Sequence, residues 1–231
     1  SDRDRRIMLA AGMAGGVGAI FRAPLAGALF AGEILYREGD IESDVVVPAA
    51  ISSIVSYSVY SLFMPADAAF LPLFGNGLHY QMSSLAELLP VALMSIVLVL
   101  AAVIYIRTFY GLHKLSRKIT VVPNFVKPAI GAVLAGLIGV GLHLACDKGD
   151  SHAMLAVLST GYGSLQTALE DPAKLGIGAL LLIAGGKVLT TSLTISTGGS
   201  GGVFGPSMVI GGCVGAALGL WFQDLFGIQT H

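Results

Sequence analysis

Gly198-Gly199-Ser200-Gly201-Gly202-Val203-Phe204-Gly205-Pro206 separates two apolar runs of the chain. Four of its first five residues are glycine, so the backbone can bend sharply and approach a ligand without side-chain obstruction. Pro206 fixes φ near the helical value where its missing N–H costs little, which marks a helix start. The run from Ser207 to Phe226 carries one charge, Asp224, and has Gly211, Gly215 and Gly219 at four-residue spacing. That spacing suits helix packing in lipid. A helix opening here puts the N–H groups of Val203, Phe204 and Gly205 ahead of its hydrogen-bond ladder, at the positive end of the dipole. Such an end attracts anions. No Lys or Arg follows Lys187, so the attraction is expected to come from partial charges alone. A pore needs a site strong enough to admit an ion and weak enough to release it. The competing reading of the stretch is a flexible linker between two helices.

Composition places the rest in a bilayer. Of 231 residues, 55% are hydrophobic and 12% charged, with mean hydropathy +0.81. Soluble domains carry about a quarter charged residues. The net charge of −1 comes without a basic patch, which argues against nucleic acid. Cys146 and Cys213 lie far apart in or beside apolar runs, and read as two buried free thiols rather than a disulfide or a metal pair. No metal and no cofactor is expected. The chain opens Ser1-Asp2-Arg3-Asp4-Arg5-Arg6, without an initiator Met or a signal peptide, and is expected to be the middle of a longer protein.

Working backwards, Pro172 is expected to begin the helix that leads to the glycine stretch, running through Thr191 with Lys174 and Lys187 as its charges. Residues 147–171 read as a polar loop with a short helix near Ser164 to Leu169. Pro128 to Ala145 and Val45 to Ala66 are uncharged and long enough to span, with Pro48 in the first turn of the latter. Leu88 to Ile106 continues towards His113 and predicts a long, tilted helix. Ile7 to Phe21 and Ala23 to Gly32 are each too short for a straight span. With Arg22 and Pro24 between them, they predict two short helices or one kinked helix. Arg3, Arg5, Arg6 and Arg37 precede the Val45 span, Lys114, Arg117 and Lys118 follow the Leu88 span, and residues 67–83 have no Lys or Arg. The positive-inside rule therefore puts the N-terminus and a 107–122 linker in the cytoplasm. The glycine hinge cannot lie bare in lipid, so it is expected to line a cavity buried in protein near the midplane.

With these residues in place, the chain resembles the chloride channel and chloride/proton exchanger (CLC) family. Gly202-Val203-Phe204-Gly205-Pro206 matches the family's GxFxP motif, and Ser207-Met208-Val209-Ile210-Gly211 continues it. Ala23-Pro24-Leu25-Ala26-Gly27-Ala28-Leu29-Phe30 with Glu33 resembles the helix pair after the family's gating segment. Lys187-Val188-Leu189-Thr190-Thr191 resembles the helix leading into GxFxP. The resemblance implies an all-α polytopic membrane protein, an inverted-repeat bundle of broken, tilted helices. Residues 1–231 would be a partial transport domain lacking its first and last helices. It implies transport of chloride or another small anion, held in part by the N–H groups of Val203 and Phe204, across an inner or plasma membrane. The family's GSxxP serine, GxEGP glutamate and late tyrosine are absent and would lie outside the chain. The position after Glu33, where exchangers commonly carry a proton-transfer glutamate, is Ile34. That leaves passive channel and exchanger both open. Glu33 is a possible proton relay, or a helix-end carboxylate at the interface paired with Arg22 or Arg37. The resemblance also implies a homodimer, with contacts from the Leu25–Tyr36 and Val45–Leu62 helices through Ala26, Gly27, Ala31, Ala49, Ala50, Ser52 and Ser53.

Two other classes compete. Gly198-Gly199-Ser200-Gly201 fits the GxSG pattern of rhomboid-like intramembrane serine proteases, but such chemistry needs a histidine base beside Ser200. His231 is the only histidine downstream, and His143 and His152 sit at a helix end and in a loop, so no catalytic residue is assigned. The other class is a membrane fragment that transports nothing without the rest of its protein. His79, His113, Trp221 and Phe222 carry no site reading, the last two being expected as interfacial anchors.

Overall fold

The computed structural model describes residues 2–34, 43–66, 69–75, 85, 88–145 and 151–226, and every regular element among them is helical. Five of these helices are long and apolar enough to cross a membrane. Contacts divide the chain into two compact units, 1–77 and 78–231. Arg37, His79, Cys146 and His231 lie outside the described residues.

The first unit holds α1 (Asp2–Ile20), α2 (Pro24–Ile34) and α3 (Ser43–Leu62). Arg22 takes a left-handed φ of 52°, and the N–H of Ala23 returns to the Gly18 carbonyl at 3.0 Å. The residue before a proline disfavours helical ψ, so the chain stops and Pro24 opens a new helix. The element is therefore two helices, not one kinked rod. α3 starts at Ser43, which places Pro48 inside the helix rather than in its first turn. The proline N–H is missing there, so the carbonyl of Asp44 loses its usual ladder donor.

Small residues let these three helices close on each other. Ala14, Ala28, Ala31 and Ala49 form the core, and Ser52 Oγ donates to the Ala11 carbonyl at 2.8 Å. Of the residues expected at a dimer contact, Ala26 is exposed and Ala50 and Ser52 are half-buried, but the others are closed off. Ala31, Ala49 and Ser53 are fully buried within the chain, and a Cβ on Gly27 would lie 2.7 Å from the Gly18 nitrogen. These residues are used up inside the unit. Exposed on α2 and α3 beside Ala26 are large residues, among them Leu25, Val47, Ile51 and Val55.

The second unit holds α4 (Leu88–Lys118), α5 (Lys127–Ala145), α6 (Ser151–Leu158), α7 (Tyr162–Glu170), a 3₁₀ turn at Pro172–Lys174, α8 (Gly176–Ser196) and α9 (Phe204–Phe226). At 31 residues, α4 is about 46 Å long, which exceeds the roughly 30 Å hydrocarbon core and requires tilt. It continues through most of the expected 107–122 linker. Residues 147–171 are more helical than expected, because the apolar Met154–Leu158 run and the Leu165–Leu169 run each support a short helix. Pro172 opens only the 3₁₀ turn, and α8 itself runs from Gly176 past Thr191 to Ser196. α8 is the centre of the unit, packing against α4, α5, α6 and α9. Cys213, on α9, is a buried free thiol.

Candidate anion site at the α8–α9 break

The break between α8 and α9 is made by the chain capping its own helix end. The N–H groups of Thr197, Gly198 and Gly199 return to the carbonyls of Leu193, Ile195 and Thr194 at 3.2, 3.1 and 2.9 Å. The hydroxyls of Thr194 and Thr197 donate to the carbonyls of Thr190 and Leu193, both at 2.8 Å. Two glycines are required for this. Gly198 has φ 103°, a left-handed value that costs an L side chain strain. A Cβ on Gly199 would stand 2.6 Å from the Thr194 carbonyl oxygen. Gly202 differs, since a Cβ there meets nothing within 4 Å.

α9 starts at Phe204. Ser207 closes the first turn, its N–H donating to the Val203 carbonyl at 3.0 Å and its Oγ to the same oxygen at 2.7 Å. Val203 is thus the cap residue, and the N–H groups of the first turn lie ahead of the ladder, where the dipole is positive. Ser200 to Phe204 are exposed, with Val203 at 47% and Phe204 at 40%. The expected burial of the hinge in protein is not met by the described residues. The reason is local: past Gly199 the chain leaves α8 before α9 begins, and no described element of the second unit lies over it.

Three side chains to which sequence reasoning gave no part in the anion site lie close by. Tyr162 opens α7, and its hydroxyl would meet a Cβ on Gly205 at 3.1 Å. Burial pushes its phenol above the usual 10, so it is a neutral hydroxyl near the first turn of α9. Lys187 and Thr191 line one cavity with Gly201, Gly202 and Pro206. Partial charges alone are expected at this break, and Lys187 adds a cation to the cavity beside it. Its signal in the sequence is an isolated charge within an apolar helix. Tyr162 and Thr191 give no such signal, because only tertiary packing brings them here.

The remaining candidates are not drawn together. Glu33 lies exposed at the end of α2 and makes no ion pair among the described residues. Ser200 is exposed and has no hydrogen-bond partner among the described residues. Nδ1 of His143 is buried without a partner, so no serine–histidine pair forms there. Trp221 and Phe222 stack at 5.7 Å near the end of α9.

A sequence profile described as voltage gated chloride channel matches residues 1–231. An uncharacterised protein of Methanocaldococcus jannaschii is 29% identical over 97% of this chain and 51% of its own length. The voltage-gated ClC-type chloride channel ClcB of Shigella flexneri and its Escherichia coli K12 counterpart are each 28% identical, over 95% of this chain and 48% of theirs. The chain thus spans about half the length of the curated relatives it matches. No solved structure matches it at a significant level.

Proposed function

The chain belongs to the voltage gated chloride channel family, and on that premise we propose that it forms one wall of a chloride pathway through a multi-pass membrane protein. The observation that carries this reading is the break itself. α8 is capped and stopped by Thr197–Gly199, and α9 starts again at Phe204 within the Gly202–Pro206 motif. A helix start of this kind offers main-chain N–H groups to an anion without a permanent counter-charge at the point of contact, which allows release. Val203 and Phe204 supply those groups, and Gly202, Gly205 and Pro206 shape their approach. One helix end contributes roughly 0.3–2 kcal/mol, which is small beside the cost of dehydrating an ion. The exposed residues 200–204 therefore require cover and further ligands from other segments of the pathway.

The relatives named ClcB favour chloride as the ion and a channel as the mode. Ile34, in the position following Glu33, fits passive conduction, since an aliphatic side chain carries no proton. Glu33 is the residue to test for proton coupling. In liposomes containing the protein, chloride efflux with and without a proton gradient separates the modes. A channel shows efflux indifferent to that gradient, and Glu33→Gln leaves it unchanged. Proton movement against its gradient, driven by chloride and lost in Glu33→Gln, would establish exchange instead. The large apolar side chains exposed on α2 and α3 suit a homodimer contact, and the protein is expected in a plasma or inner membrane.

A further inference from the structure

α4 carries a charge pattern that the anion pathway does not use. Between Glu87 and Asp147 the sequence holds Arg107, Lys114, Arg117, Lys118 and Lys127, and no acidic residue. The apolar part of the helix, residues 88–106, is about 28 Å long, which matches a hydrocarbon core of roughly 30 Å. Arg107 therefore marks the edge of that core. The turns from 107 to 118 fall in the headgroup layer, and the tilt of α4 lays them along it. Lys127 is engaged, its Nζ donating to the Ser116 carbonyl at 2.9 Å. Arg107, Lys114, Arg117 and Lys118 are exposed and make no ion pair among the described residues. A helix C-terminus attracts cations through its dipole, but only within the last turn. That accounts for Arg117 and Lys118 and leaves Arg107 and Lys114 without a role.

Their placement around the helix gives them one. At about 100° per residue, Arg107, Lys114 and Lys118 fall within about 40° of one another, with Tyr110 and Arg117 beside them. The opposite face is the packed one: a Cβ on Gly215 of α9 would stand 3.9 Å from the Met94 sulfur, and the Tyr105 hydroxyl is buried. On the same side as the cations, in the turns before Arg107, Ile96, Leu100 and Val103 stand exposed. An apolar track and a cationic end are therefore continuous on one face, turned away from the bundle. We propose that this face binds an anionic glycerophospholipid of the cytoplasmic leaflet. Arg107 and Lys114 hold its phosphate, and one acyl chain lies along Ile96, Leu100 and Val103. The leaflet is the one that the positive-inside rule gives to the end of α4. Guanidinium geometry suits a phosphate, and the long stem of Lys114 lets its ammonium reach the same group. Tyr110 lies between the two and has the amphipathic ring of an interfacial anchor. Arg117 and Lys118 extend the positive surface beneath the headgroup.

The site stands on α4 and does not depend on the anion pathway. Native mass spectrometry of the intact protein, titrated with dioleoyl phosphatidylglycerol or dioleoyl phosphatidylcholine, tests it. The two lipids share their chains and differ in net charge. Phosphatidylglycerol is expected to bind at least about tenfold more tightly, since each Lys or Arg near the surface contributes about fivefold. Equal affinity for the two overturns the proposal. Inorganic phosphate at the same concentration is expected not to displace the lipid, because it has no chain to lay on the apolar track. Displacement would overturn the lipid as occupant in favour of a free anion. Arg107→Gln and Lys114→Gln are each expected to weaken phosphatidylglycerol about fivefold and to leave phosphatidylcholine unchanged. Lys174→Gln removes the same charge at the far end of α8 and is expected to alter neither. All three side chains are exposed, so the fold is not disturbed. Unaltered phosphatidylglycerol binding in the Arg107→Gln, Lys114→Gln double variant, or an equal loss in Lys174→Gln, would overturn the assignment to this face.

Discussion

In the proposed anion site, the main chain and the side chains of Val203 and Phe204 have separate tasks. If the N–H groups hold the ion, Val203→Ala removes only an exposed apolar side chain, and chloride affinity should change by less than about twofold. That is within the ±0.5 kcal/mol usual for surface substitutions. Calorimetric titration of chloride checks it, and a tenfold loss with the fold intact would make the side chain the ligand. Phe204→Ala should alter conduction more than equilibrium binding, because its ring can wall the path without touching the ion. The glycines divide differently from what the motif alone suggests. Gly202→Ala meets open space and should leave stability unchanged. Gly199→Ala drives a Cβ against the Thr194 carbonyl oxygen and should destabilise by about 1–3 kcal/mol. At about 2–4 °C per kcal/mol, a thermal melt resolves this, and an unchanged midpoint would contradict the capping geometry. The motif was legible as residues, but which glycine bears the steric load was not. That depends on where the last carbonyls of α8 point, and a sequence does not show it.

At the level of elements, α8 is fastened to the end of α6 by two residues, Lys187 and Thr190. Lys187 Nζ reaches the carbonyls of Ala156, Val157 and Ser159, and the Thr190 hydroxyl adds a bond to Val157. Helix ends leave carbonyls without intrahelical donors, so Lys187 is in effect the cap of α6. Lys187→Met keeps the aliphatic stem but leaves those oxygens unsatisfied, at about 1–3 kcal/mol for each buried group. Its melting temperature should therefore fall well below that of Lys187→Gln, which still carries an amide donor. Equal midpoints for the two variants would show that the carbonyls do not depend on Lys187. The long apolar runs of α4, α5, α8 and α9 were readable in advance, because length and lack of charge suffice for a span. The break at Arg22-Ala23-Pro24 was readable as a choice between two shapes. α6 was not readable: its eight residues gain most of their stability by packing on α5 and α8, since isolated helices this short do not hold.

For the molecule as a whole, the first unit separates residues that hold it together from residues that could meet a partner. Ala49 and Ser53 are sealed inside, while Ile51 and Val55 stand exposed on the same helix at 59% and 56%. If the protein pairs through α3, Ile51→Cys and Val55→Cys should crosslink two copies in the membrane, whereas Ala49→Cys and Ser53→Cys should not. Crosslinks from the buried pair would mean that α1, α2 and α3 do not pack as described. A lack of crosslinks at every exposed position on α2 and α3 would count against a dimer through this face. Family membership extends over all 231 residues, while the proposed chloride transport concerns the protein as a whole and has its own direct test. Liposomes containing the protein and loaded with potassium chloride should release chloride once valinomycin lets potassium follow, and should not release gluconate under the same conditions. Chloride efflux no faster than from protein-free liposomes, with the protein shown to be folded and inserted, would contradict the account.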